Sequence, residues 1–156
     1  MLAGHHDDRL EVGRRLGATH TVNTSANGGL EEVIGGLTDG HGPQAVVDAV
    51  SSTASMKFST ETVQAGGTVS WVGMEVFLGA PELSWDQCFL RNLTIRGGVA
   101  PVKRYLPELW PLLEDGRIDP SPVLTHDLAM DEAATGYAPM ATRQEGTVKV
   151  AVSPHR

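Results

Sequence analysis

Ala45-Val46-Val47-Asp48-Ala49-Val50 is a strand-length run, apolar except at Asp48. Such a run reads as a parallel strand buried on both faces, because a strand with one wet face would alternate. Its surroundings agree. Upstream, Leu30, Val33, Ile34 and Leu37 fall at i, i+3, i+4 and i+7, the apolar stripe of a helix that Gly40 and Gly42 end. Downstream, the pattern predicts a helix over 53–64, then Gly66-Gly67 and a strand over 68–72. Further out lie a strand over 19–23 and a helix over 7–16, with Asp7 and Asp8 in its first turn, where carboxylates suit the helix dipole. On the other side come a loop carrying Pro81, a short helix near 84–90, and a strand over 93–96 closed by Gly97-Gly98. Leu106, Leu109, Trp110 and Leu113 then make another helix stripe, in which Pro111 removes a backbone hydrogen bond. After Asp119 the texture changes at Pro120 and Pro122. A strand over 123–128, a helix over 131–140 begun by Asp131, and a closing strand over 148–152 follow. Strands alternating with helices specify an α/β fold with a parallel sheet.

Bulk properties exclude several function classes. The net charge of -7 offers no basic surface for nucleic acid or anionic lipid. The single cysteine, Cys88, can make neither an internal disulfide nor a cysteine-rich zinc site. The start, Met-Leu-Ala-Gly-His-His, is not a signal peptide, and no apolar run approaches the ~18 residues of a membrane span. Asn23-Thr24-Ser25 and Asn92-Leu93-Thr94 fit the glycosylation pattern and are read as chance in a cytoplasmic protein.

Local motifs carry little chemistry. Gly40-His41-Gly42-Pro43-Gln44-Ala45 looks like a phosphate loop but precedes a strand and follows a helix, and Pro43 lacks an amide, so it reads as a turn. A nucleophile elbow and a Walker sequence are absent. His5-His6 has no partner at a metal-ligand spacing, and His20, His41, His126 and His155 are scattered. What remains are the strand ends, since open parallel sheets bind ligands outside the carboxyl ends of their strands. Gly4-His5-His6, Asp48-Ala49-Val50-Ser51, Val72-Gly73-Met74 and Gly97-Gly98-Val99 are small or polar there, and each glycine serves either a turn or a close ligand approach.

In this order, the strand ends resemble the cofactor-binding part of the medium-chain, zinc-type alcohol dehydrogenases. Asp8-Arg9-Leu10-Glu11 with Leu16-Gly17-Ala18-Thr19 resembles the family's second helix and third strand, and the stretch from Asp39 to Val50 its fourth-strand region. Gly66-Gly67-Thr68-Val69-Ser70-Trp71-Val72-Gly73 is similar to the fifth strand and Leu93-Thr94-Ile95-Arg96-Gly97-Gly98 to the sixth. Leu113-Glu114-Asp115-Gly116-Arg117-Ile118-Asp119-Pro120 resembles the return toward the catalytic domain. Leu128-Ala129-Met130-Asp131-Glu132-Ala133 and Gly146-Thr147-Val148-Lys149-Val150 resemble the closing helix and the last strand.

The resemblance implies a Rossmann-like parallel sheet that here lacks its first strand and glycine-rich turn. Residues 1–119 are expected to be a partial dinucleotide-binding domain, and 120–156 a segment returning to the catalytic domain. It also implies an NAD(P) cofactor, a small alcohol or aldehyde substrate, and a zinc ion whose ligands in relatives lie outside these residues. Gly4 stands where members that use NAD carry an acidic residue for the ribose. NADP is therefore expected over NAD, with His5, His6 and Arg9 facing its 2′-phosphate, although neutral histidines are weak phosphate ligands. By the same matching, Ala49, Val50, Val72, Gly73, Gly98 and Val99 line the adenosine or nicotinamide, and Lys149 approaches the pyrophosphate. Self-association is implied through the edge strand at 93–96. No catalytic residue is expected in the chain.

Only Met1 to Gly4 is available as a strand before the first helix, so the chain is expected to begin inside a structural element. A central strand missing from the sheet would remove about five doubly buried side chains at ~1.5–3 kcal/mol each, comparable to the ~5–15 kcal/mol stability of a domain. The isolated chain is accordingly expected to be poorly stable and inactive. The competing expectations are a zinc-independent quinone-reductase-like protein, a non-catalytic remnant that binds a nucleotide or partner, and complementation by a second chain docking on exposed strand edges.

Overall fold

The computed structural model describes residues 1–25, 29–73, 75 and 83–154. The loop expected at Pro81, the strand-end residue Met74 and His155 lie outside the described residues. The described elements run β1 (Leu2–Gly4), α1 (Asp7–Arg15), β2 (Thr21–Asn23), α2 (Leu30–Leu37), β3 (Ala45–Asp48), α3 (Thr53–Thr62) and β4 (Thr68–Trp71). They continue with α4 (Trp85–Leu90), β5 (Thr94–Gly97), α5 (Val102–Glu114), β6 (Leu124–Ala129), α6 (Ala133–Ala141) and β7 (Lys149–Ser153). The alternation expected from the sequence is present, within one or two residues at most boundaries. No described helix is long and apolar enough to cross a membrane.

Contacts divide the chain into two units, Met1–Gly28 with Tyr105–Arg156, and Gly29–Arg104. In the first unit β1 and β2 pair in parallel, Leu2 opposite Thr21, and α1 is their crossover with Leu10 buried. Here β6 and β7 form a second parallel pair joined by α6. A Cβ on Gly136 of α6 would come to 2.9 Å from a Val150 methyl and 3.0 Å from a Leu128 methyl, so a larger residue there would make those side chains give way. The helix expected to begin at Asp131 begins at Ala133 instead. A 3₁₀ turn over Met130–Glu132 comes first, and the Glu132 carboxyl accepts the Ala129 amide at 3.2 Å.

In the second unit β3, β4 and β5 form a parallel sheet with β4 in the middle, Ala45 opposite Thr68 and Thr68 opposite Thr94. The fold is thus α/β and Rossmann-like, with parallel ladders throughout, and no described strand pairs with the free edge of β1 or of β3. Val69 on β4 is fully buried, and Ile34, Met56, Val63 and Cys88 complete the core of this unit. Burial raises the pKa of the Cys88 thiol, with the charge of Asp86 adding to the effect.

The expectation for β3 is overturned in one respect. It is parallel, but its apolar side chains are not buried: Val47 is 70% exposed, whereas Asp48 is 8% exposed. Among the described strands β3 pairs with β4 alone, which puts it at the edge of this sheet. An apolar run reports a preference for cover and does not report what supplies it. The helix α5 likewise runs through both Pro107 and Pro111, and none of its residues is buried.

A single guanidinium ties the end of α3 to the turn between α4 and β5. Arg91 Nη1 donates to the carbonyls of Thr60 at 2.6 Å and Glu61 at 3.1 Å, and Nη2 donates to that of Val63. These carbonyls are at a helix C-terminus, where acceptors lack intrahelical donors and the dipole favours a cation. Arg91→Ala is expected to remove about 2 kcal/mol of stability, read as a melting temperature lower by ~4–8 °C. Arg91→Lys is expected to restore only part of it, because an ammonium cannot span the carbonyls as a guanidinium does.

Candidate functional site

In the second unit the candidate site sits at the carboxyl ends of β3, β4 and β5. It is organised by one buried carboxyl group. Asp48 Oδ1 accepts the amides of Val50 at 2.9 Å and Ser51 at 2.8 Å, while Oδ2 accepts the Ser55 hydroxyl at 2.8 Å. Ser52 caps α3, its Oγ accepting the Ser55 amide at 3.1 Å and its own amide donating to Ser55 Oγ at 2.9 Å. Ser51, fully buried and at φ +56°, donates its hydroxyl to the Asp48 carbonyl at 3.2 Å and accepts the Gly73 amide at 3.0 Å.

Gly73 is pressed against this turn. A Cβ there would overlap the Val50 carbonyl and sit 2.7 Å from that of Ala49. Four of the residues singled out from the sequence, Ala49, Val50, Val72 and Gly73, are therefore brought together. Gly98, just after β5, donates its amide to the Trp71 carbonyl at 3.3 Å, and a Cβ there would meet nothing within 4 Å. Val50, Val72 and Val99 are exposed, an apolar rim around a polar, hydrogen-bonded floor. The Gly40-His41-Gly42 segment is a turn, as expected: Gly42, at φ +85°, packs against the Thr62 carbonyl.

In the first unit the ends of β1 and β2 share a polar cluster. The Gly4 carbonyl accepts the Thr24 amide at 2.8 Å and its hydroxyl at 3.2 Å. Thr24 Oγ1 also lies 2.7 Å from His5 Nδ1, and Asn23 Nδ2 donates to Asp7 at 2.7 Å. His6 is the residue before α1, without a side-chain capping bond. Arg9 reaches away from this cluster, its Nη2 donating to the Thr147 carbonyl at 3.3 Å. Beside it, Asp8 accepts the Gly146 amide at 3.0 Å. Arg9 is thereby brought to the turn that leads into β7, where the Lys149 side chain is exposed.

Asp48, Ser51, Ser52 and Ser55, with Asn23 and Thr24, form contacts that sequence reasoning did not assign. The Ser-x-x-Ser spacing at 52–55, just after a strand, was the available signal for the cap. Asn23 and Thr24 carried none, because their partners are some 16 to 20 residues away. Zinc chemistry does not fit the described residues: no three His, Cys, Asp or Glu gather among them as a donor set.

Known proteins share this architecture. The family model described as zinc-binding dehydrogenase matches residues 1–115. A relative named "Probable zinc-binding alcohol dehydrogenase" from Mycobacterium tuberculosis is 38% identical over 146 residues, covering 94% of this chain and 36% of that protein. An alcohol dehydrogenase of Thermus sp. ATN1 superposes with a TM-score of 0.82 at 30% identity, over 95% of this chain and 41% of its own. A Sinorhizobium meliloti structure named as a zinc-binding dehydrogenase, bound to NADP, gives a TM-score of 0.82 at 25% identity, over 98% of this chain and 44% of its own. A short chain alcohol dehydrogenase of E. coli CFT073, complexed with NADH, shares the fold at 21% identity, with a TM-score of 0.84 over 97% of this chain and 44% of its own. The chain thus spans between 36% and 44% of the length of these relatives.

The Asp8 contact has a pH signature. The Gly146 amide holds the Asp8 carboxyl below its usual pKa, against the opposing effect of burial. A carboxyl with a lowered folded-state pKa contributes stability that is present above its unfolded value of about 3.9 and is lost as pH falls through the folded value. The stability gap between wild type and Asp8→Asn, measured by denaturant titration, should be constant near neutrality and close progressively below about pH 4. A gap that does not change with pH would show that the charge of Asp8 adds nothing to this contact.

Proposed function

The chain belongs to the zinc-binding dehydrogenase family, and on that premise we propose that it binds a nicotinamide dinucleotide as the cofactor-holding part of an oxidoreductase acting on an alcohol or aldehyde. The single observation that carries this reading is the convergence of Ala49, Val50, Val72 and Gly73 at the carboxyl ends of adjacent parallel strands, where such sheets take ligands. Bound there, the dinucleotide supplies the hydride acceptor or donor for interconverting alcohol and carbonyl compound. The chain's own residues bind and orient it. The exposed side chains of Val50, Val72 and Val99 offer apolar cover, and Gly98 leaves room for close approach.

NADP is the preferred form in this reading. Gly4 itself carries no carboxylate where β1 ends, and His5 and Thr24 present polar atoms beside it. Arg9, whose guanidinium lies on the Thr147 carbonyl, and the exposed Lys149 are further cations of the first unit. Titration of the purified chain by NADPH and NADH fluorescence tests the reading. Micromolar binding of both, several-fold tighter for NADPH, is expected; no binding of either overturns it. Assayed with primary alcohols and NADP, the same polypeptide is expected to form no NADPH above background, and steady turnover would refute that part.

Self-association through β5 belongs to the same reading. Among the described strands β5 pairs with β4 alone, and Trp85, Phe89 and Leu90 of the preceding α4 are exposed apolar side chains. Light scattering should give a molar mass above that of one chain, whereas a monomer at near-millimolar concentration would exclude this interface.

A further inference from the structure

We propose that Ser51, seated by Asp48, is a positioning residue for the dinucleotide: its hydroxyl fixes the backbone of Val50 against Gly73 and so sets the wall of the site at the ends of β3 and β4. The inference rests on the cofactor reading above and assigns a role to a residue that does not itself line the rim.

Three observations converge on it. Ser51 is fully buried and holds φ +56°, a backbone conformation that glycine adopts without penalty and serine does not. A strained serine persists where its side chain does something that glycine could not. Here the hydroxyl bridges the end of β3 to the segment after β4, donating to the Asp48 carbonyl at 3.2 Å and accepting the Gly73 amide at 3.0 Å. Asp48 in turn leaves the turn little freedom, since its carboxyl accepts the Val50 and Ser51 amides at 2.9 and 2.8 Å. The bridge ends against a backbone contact so close that Gly73 has no space for a Cβ beside the Val50 carbonyl. Val50 and Val72 are exposed on either side of it. A shift in that contact moves both rim side chains together, and displacements of about 1 Å at a binding wall are costly to function.

Two variants separate positioning from support. Ser51→Ala deletes the hydroxyl and keeps the strain, so it should melt at a lower temperature than wild type. Ser51→Gly deletes the hydroxyl and relieves the strain, so it should melt as high as wild type or higher. If Ser51 positions the site, both variants bind NADPH and NADH about tenfold more weakly, with a reduced blue shift of bound-cofactor fluorescence. The Gly73 amide should also exchange with solvent at least about tenfold faster in both. Affinity that falls in Ser51→Gly while its melting temperature does not is a result that mere structural support cannot produce. Wild-type affinity in Ser51→Gly overturns the inference even if Ser51→Ala fails to fold. Wild-type chain that binds neither cofactor overturns the cofactor reading first, and the inference with it.

Discussion

A carboxyl group removed from water must find donors near at hand, and Asp48 finds three: two amides of the turn that follows it and one hydroxyl of the next helix. Much of the second unit is arranged around that requirement. The amides bend the chain out of β3, Ser51 enters its positive-φ conformation, and Ser52 and Ser55 start α3 with reciprocal bonds. From the same turn the Ser51 hydroxyl reaches the residue region after β4, so one side chain sets both the exit of an edge strand and its seat on the central one. At the other end of α3, Arg91 collects the carbonyls that the helix leaves open. The helix is held at its two ends by polar groups, while Met56 and Val63 fill the core between them.

The first unit uses a different device. Its two strand pairs come from opposite ends of the chain, and the contacts that join them involve α1 and the turn before β7. Asp8 takes the Gly146 amide, and Arg9 takes the Thr147 carbonyl. Neighbouring residues of opposite charge thus grip neighbouring backbone groups of opposite polarity. Thr147, whose carbonyl is gripped, is almost wholly buried. Arg9 therefore has a structural task, and its guanidinium is restrained by the carbonyl that it holds.

The resemblance read from ordered strand ends and the family match agree: the matched residues 1–115 contain all four of those strand ends. Boundaries were legible as well: β1, α1, α2 and α3 begin within about two residues of where apolar period, glycines and acidic first turns put them. The site was legible only by address. Ala49, Val50, Val72 and Gly73 could be named as strand-end residues, yet nothing local said that Gly73 would lie on the Val50 carbonyl, since 22 positions separate Ser51 from its partner amide.

By itself the sequence determined the α/β alternation, the parallel sense of the strands and the family, because each is a matter of period, punctuation and order along the chain. Only the tertiary structure decided what is buried. Val47, in the run that looked most like core, lies with Ala45 on the face of β3 that the described residues leave exposed, while Asp48, its single polar residue, lies on the covered face and has three donors within reach. Burial and hydrogen bonding depend on neighbours in space, and those neighbours come from residues that no local pattern links.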